Sequence, residues 1–115
     1  MDVARNLLRT RYSGNVTAAC LGAAIPRAEP LLRQMKSGFA VIADLTELES
    51  MELECGPHIG RLMELCKAQG VSMVIRVLPD RHKDIGLNIL SLIHYRGKVK
   101  TLTCETMAEA ERALA

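Results

Sequence analysis

Phe39-Ala40-Val41-Ile42-Ala43-Asp44-Leu45 is apolar at every position but Asp44. A strand with one wet face alternates apolar and polar residues, so a run this continuous predicts a central strand covered on both faces. Val71 to Leu78 reads the same way, interrupted only by Ser72 and Arg76. Two further segments alternate instead. Leu7 to Tyr12 sets apolar residues against Arg9 and Arg11, and Val99 to Cys104 alternates with Lys100. These suit edge strands with a solvated side.

Helical spacing fills the intervals. Thr17 is placed to cap a helix with apolar positions at Ala18, Leu21, Ile25, Ala28, Leu32 and Met35. Pro26 and Pro30 lie inside it, and each removes a backbone donor, so a kink or two pieces joined near Ile25 is expected. Lys36-Ser37-Gly38 ends it, with Gly38 as the expected C-cap. A second helix starts at Cys55 or Gly56, takes Pro57 in its first turn, buries Ile59, Leu62, Met63 and Cys66, and stops at Gly70. Lys83 to Tyr95 reads as a third helix, ended by Gly97. Thr106-Met107-Ala108-Glu109 has the capping-box spacing that opens a last one. The turn residues Ser13-Gly14-Asn15 and the acidic segment Thr46 to Glu54 read as loops.

The order strand, helix, repeated four times, predicts a single α/β domain over residues 1–115. Its four- to five-stranded, mixed or mostly parallel sheet would be packed with about four helices. Ligands on such sheets usually meet the carboxyl ends of the strands. That places a site at the Asp44–Gly56 and Leu78–Asp84 segments.

The 115 residues are 49% hydrophobic and 24% charged, with a net charge of +2, close to an average globular domain. The charge is too mild to require nucleic acid, and Tyr12, Phe39 and Tyr95 are too few aromatics for a base-stacking platform. No apolar run approaches a transmembrane span, and the first residues lack the layout of a signal peptide. A cytoplasmic protein without membrane insertion is expected. Cys20, Cys55, Cys66 and Cys104 are irregularly spaced, as free thiols of a reducing compartment are. No phosphate-cradling glycine motif and no Gly-x-Ser-x-Gly elbow occurs. The acid pair a receiver domain needs after its first strand is replaced by Ser13-Gly14-Asn15. No cofactor is expected.

Five acids, Asp44, Glu47, Glu49, Glu52 and Glu54, fall in one stretch without a basic residue. The positive end of the second helix would favour Glu52 and Glu54 beside it. Within this stretch Asp44-Leu45-Thr46, then Met51-Glu52-Leu53-Glu54, then Gly56, resembles the core motif of STAS domains, the anti-sigma factor antagonist modules. Gly70 followed by Val71 to Leu78 is similar to that family's glycine-then-strand, and Thr106 to Leu114 is similar to its closing helix. The resemblance implies a STAS-like fold and a non-catalytic role in regulation through protein–protein contact. Family members switched by phosphorylation carry Ser or Thr just after the motif's acid. Here Glu52 falls on the acid and the next positions are Leu53 and Glu54, so the switch is absent. The expected partner-binding residues are Asp44, Thr46, Glu52, Leu53, Glu54, Gly56 and His58.

Leu87 and Leu90 join that set for another reason. From Ile85 to Ile93 the third helix is apolar around most of its circumference, with Asp84, Asn88, Ser91 and Tyr95 as a narrow polar stripe. Such a helix must be covered by another helix, a second copy of the chain, a partner or a ligand. Arg76, Arg81, Lys83, Arg96, Lys98, Lys100, His82 and His94 cluster around it. That gives a solvated basic face, or an anion or acidic-partner site. Self-association and a small anionic or apolar ligand beside the 84–95 helix are therefore both readings of this region.

Cys55-Gly56-Pro57-His58 supplies another. A thiol at a helix N-terminus near a histidine can be nucleophilic, which would support redox or transfer activity at Cys55. Against it, His58 stands where a second cysteine would close a disulfide, and the charge of Glu54 opposes thiolate formation. The same Cys-x-x-His could be half a zinc site, but Cys20, Cys66, Cys104, His82 and His94 offer no paired spacing for the other half, and no metal is expected.

Overall fold

The computed structural model describes residues 5–79 and 99–114. Among these residues four strands form one sheet: β1 (Leu7–Val16), β2 (Ala40–Met51), β3 (Met73–Val77) and β4 (Lys100–Cys104). Their spatial order is their sequence order, and every neighbouring pair is parallel. The two continuously apolar segments are thus the inner strands β2 and β3, and the alternating ones are the edges. Helix α1 (Ala18–Arg33) links β1 to β2. A single 3-10 turn (Leu53–Cys55) and α2 (Gly56–Gln69) link β2 to β3, and α3 (Met107–Leu114) follows β4. The predicted 83–95 helix lies outside the described residues.

Sequential parallel strands joined by right-handed crossovers put successive connecting helices on one face of the sheet. Leu8, Val41 and Val74 stand in register across three strands and are buried with Leu21 and Leu32 of α1 and Ile59, Met63 and Cys66 of α2. Phe39, fully buried, belongs to the same core. The opposite face carries Leu7, Ile42, Ile75, Val77 and Cys104, packed with Ala110 of α3.

Helix ends follow their expected chemistry in most places. The Cys20 N–H donates to Thr17 Oγ1 (3.2 Å) at the start of α1, and the Glu109 N–H to Thr106 Oγ1 (3.2 Å) at the start of α3. Gly70 ends α2 with φ +96°. A side chain there would be strained, and its Cβ would come within 2.5 Å of Ser37 Oγ.

Several expectations need correction. α1 runs unbroken through Pro26 and Pro30 rather than as two pieces, and its C-cap is Gln34, not Gly38. Each proline forfeits one intrahelical bond. Burial of Leu21, Ile25 and Leu32 against the sheet offsets that loss. Ser13-Gly14-Asn15 is not a turn but the continuation of β1, and Thr46 to Met51 is not a loop but the second half of β2.

The reason is visible in the register. Arg11 pairs with Asp44 but Ser13 with Glu47, and Gly14 pairs with Leu48 but Asn15 with Ser50. Each slip inserts one extra residue in β2, a bulge. An unbulged strand would send Leu45 and Leu48 to opposite faces, because side chains alternate. With a bulge between them both reach the same core, at 2% and 1% exposure, and Met51 packs beside them. The ion pair of Arg11 with Glu47 and the Ser50 hydroxyl donating to Asn15 Oδ1 (2.6 Å) join the outer halves of the two strands.

Candidate functional site

The strand β3 pairs with β2 only from Ala40 to Asp44. Past Asp44, β1 and β2 continue together, as an arm two-stranded among the described residues, which ends in the 3-10 turn and the first turn of α2. Most of the residues singled out from the sequence lie along this arm, but in two separate groups.

Asp44 and Thr46 form the first group, where β3 stops. The Thr46 N–H and hydroxyl both donate to Asp44 Oδ1, at 3.0 and 2.6 Å. These bonds fix the start of the arm and leave Thr46 exposed.

Glu52, Leu53, Glu54, Cys55, Gly56 and His58 form the second group, at the tip. The Glu52 N–H donates to Val16 O (3.0 Å), and Glu52 Oε1 accepts from the Ala18 N–H (2.8 Å). Its carboxylate therefore occupies the N-terminus of α1, not that of α2, where the sequence placed its favourable field. An anion there satisfies an orphan donor and complements the helix dipole. The Cys55 N–H donates to Glu52 O (3.0 Å), which closes the 3-10 turn.

That turn sorts its residues sharply. Cys55 is fully buried, whereas Leu53 is 84% exposed, with exposed Glu52 and Glu54 on either side. His58, half-buried in α2, packs over Gly22 of α1. A Cβ added at Gly22 would lie 3.0 Å from the imidazole, so the close approach of the two helices depends on a glycine there.

The Cys55 thiol is poorly suited to chemistry. Burial, and then the neighbouring Glu52 carboxylate, push its pKa up, whereas a nucleophilic cysteine needs it lowered. Its Sγ faces Val16 O at 3.7 Å. Among the described residues no group of three or more His, Cys, Asp or Glu is arranged to hold a metal ion. No described helix is long and apolar enough to cross a membrane.

Leu87 and Leu90 lie outside the described residues, as do Arg81, His82, Lys83, His94, Arg96 and Lys98. Of the remaining basic cluster, Lys100 is exposed, but Arg76 is not part of a surface patch. It is 5% exposed, on β3 in the middle of the sheet. Thr10, Ala43, Arg76 and Thr103 stand in one register row across all four strands. Arg76 lines an otherwise mainly apolar cavity of about 120 Å³ between the sheet and helices α1 and α2. The sequence signal for this feature was a cation inside a continuously apolar strand, where burial of charge is costly enough to call for a purpose.

Comparison with known protein families, with curated proteins and with solved structures finds no match in any of the three.

Proposed function

We propose that this chain is a non-catalytic regulatory module that docks a protein partner through the tip of the β1–β2 arm and the start of α2. The observation that carries this reading is Leu53. A large apolar side chain 84% exposed is held by a turn whose next-but-one residue, Cys55, is fully buried. The turn is tied by hydrogen bonds to β1, and the side chain of its flanking Glu52 to α1. Rigid presentation lowers the entropy lost on binding, and an apolar centre with a polar rim is the usual anatomy of an interface.

Glu54, and Glu49 on the arm, would steer an approaching basic surface. The partner best suited is a protein with an apolar pocket rimmed by Lys or Arg. Gly56 and His58 flank the contact, and Asp44, Thr46 and Glu52 hold the arm in shape. The likeness to anti-sigma factor antagonists, which rests on the residues quoted above, points to regulation by association. Leu53 and Glu54 stand where a phosphorylated hydroxyl would act, so binding here is constitutive instead of switched by a kinase.

The test is a pull-down from the native cell with wild type, Leu53→Asp and Glu54→Lys side by side, followed by affinity measurement with the recovered protein. Loss of the hot spot should weaken binding at least about 30-fold for Leu53→Asp. Glu54→Lys should act mainly on the association rate and its salt dependence. Equal binding by all three proteins sinks the proposal.

A further inference from the structure

The cavity beside Arg76 is remote in role from the arm's tip and uses none of the docking residues Leu53, Glu54, Gly56 or His58. Its walls are Leu8 and Tyr12 of β1, Ala28 and Leu31 of α1, Leu62 and Met63 of α2 and their neighbours on the inner strands. Protein interiors are packed to crystal density, with few voids larger than one water. This space, about 120 Å³, is close to the engineered apolar cavity of about 150 Å³ that stays dry and takes up benzene. Leu31, a lining residue, is 39% exposed, which places the cavity's rim at the solvent surface of α1.

Arg76 sets the sign of what suits this space. A guanidinium remains charged at every physiological pH, and its planar donors match a carboxylate. Attraction between opposite charges is stronger in an apolar surrounding than in water. In the register row, Ala43 beside Arg76 is small and Thr10 beyond it offers a hydroxyl, so room and a polar group accompany the cation. We propose that the cavity between α1, α2 and the sheet is a binding site for a small monocarboxylate with an apolar body of about benzene size, its carboxylate directed to Arg76.

Three probes of one ring size separate shape from charge: benzoate, the neutral benzyl alcohol and the cationic benzylamine. Titration calorimetry of the full chain should show saturable binding of benzoate about tenfold or more tighter than benzyl alcohol, the difference expected for one charged hydrogen-bonded contact. Benzylamine should bind weakest. Methyl signals of Leu31, Leu62 and Met63 should shift in NMR spectra as benzoate is added. Arg76→Met should bring benzoate and benzyl alcohol to equal affinity. Ala28→Leu leaves the cation in place and fills the space, so it should abolish benzoate binding. No saturation by benzoate, equal affinity of benzoate and benzyl alcohol in wild type, or undiminished benzoate binding by folded Ala28→Leu each overturns the proposal.

Discussion

The two faces of the sheet are built differently. The face under α1 and α2 holds the larger core, with Phe39, Leu45, Leu48, Ile59 and Cys66 among its buried residues. Among the described residues, the face under α3 carries five buried strand residues packed with Ala110 of that helix. Charged groups occur on both. Over the α3 face Glu111 accepts from Arg5 (2.7 Å) and pairs with Arg9, tying the last helix back to the first strand. Those groups are solvent-exposed, where ion pairs are weak. On the other face burial pushes Tyr12, Cys55 and Cys66 upward in pKa, Cys66 to about 11, while on the outside of α1 and α2 Glu29 pairs with Arg33 and Arg61, and Glu64 with Lys67. Surface ion pairs accompany both faces; among the described residues, the difference lies in the buried core, larger under α1 and α2. The cavity and its cation belong to that larger side.

Truncating the larger core is the strongest way to probe this contrast. Phe39→Ala should cost about 3–5 kcal/mol in urea unfolding. Leu114→Ala, taken from α3 and only partly buried, should cost less than half as much. Equal costs would mean that the two faces contribute alike.

Alkaline pH probes the same face by another route. A thiol or phenol with a raised folded pKa favours the protonated form in the native state, so its contribution is complete below the unfolded value and fades above it. For Cys66 that window runs from about pH 9 to about 11, and the shift corresponds to at most about 2–3 kcal/mol. Urea midpoints should fall between pH 8.5 and pH 11, and Cys66→Ala should flatten the fall. A profile as steep in the variant as in wild type would remove Cys66 from the account.

The smallest effect belongs to the α3 face. Its arginine partners lower the pKa of Glu111, so the contribution is present above the ordinary carboxylate range and lost on acidification through the folded value. Glu111→Gln should move the thermal midpoint at pH 7 only marginally, and added salt should erase even that difference. A large salt-resistant loss would show the pair to be structural.

Much of this was legible in the sequence, and the failures have physical causes. The inner strands declared themselves because burial on both faces leaves no room for polar alternation. Thr17, Gly70 and Thr106 marked helix ends because each supplies a particular bond or backbone angle. The arm was hidden because its bulges convert a period of two into the three-residue spacing Leu45, Leu48, Met51, which matches neither strand nor helix. The unbroken α1 was hidden because tertiary packing outweighs the two bonds that Pro26 and Pro30 forfeit. At the candidate site the tetrad Glu52, Leu53, Glu54, Gly56 stood out by composition. Which residue faces solvent and which caps α1 depends on the 3-10 turn, whose short span leaves no periodicity to read. Arg76 looked like a member of a basic cluster because charge counts ignore which strands lie on either side.

The spacing of the arm has one more consequence. Beyond Asp44 the β2 side turned toward β3 has no pairing strand among the described residues, and long exposed sheet edges invite pairing with other chains. Here the apolar residues come only every third position, all turned inward, and Glu47 and Glu49 stand exposed between them. Two identical molecules approaching edge to edge would bring like charges together on a kinked, bulged strand. Acids placed to suit a basic partner would thus also disfavour strand pairing between copies along this stretch.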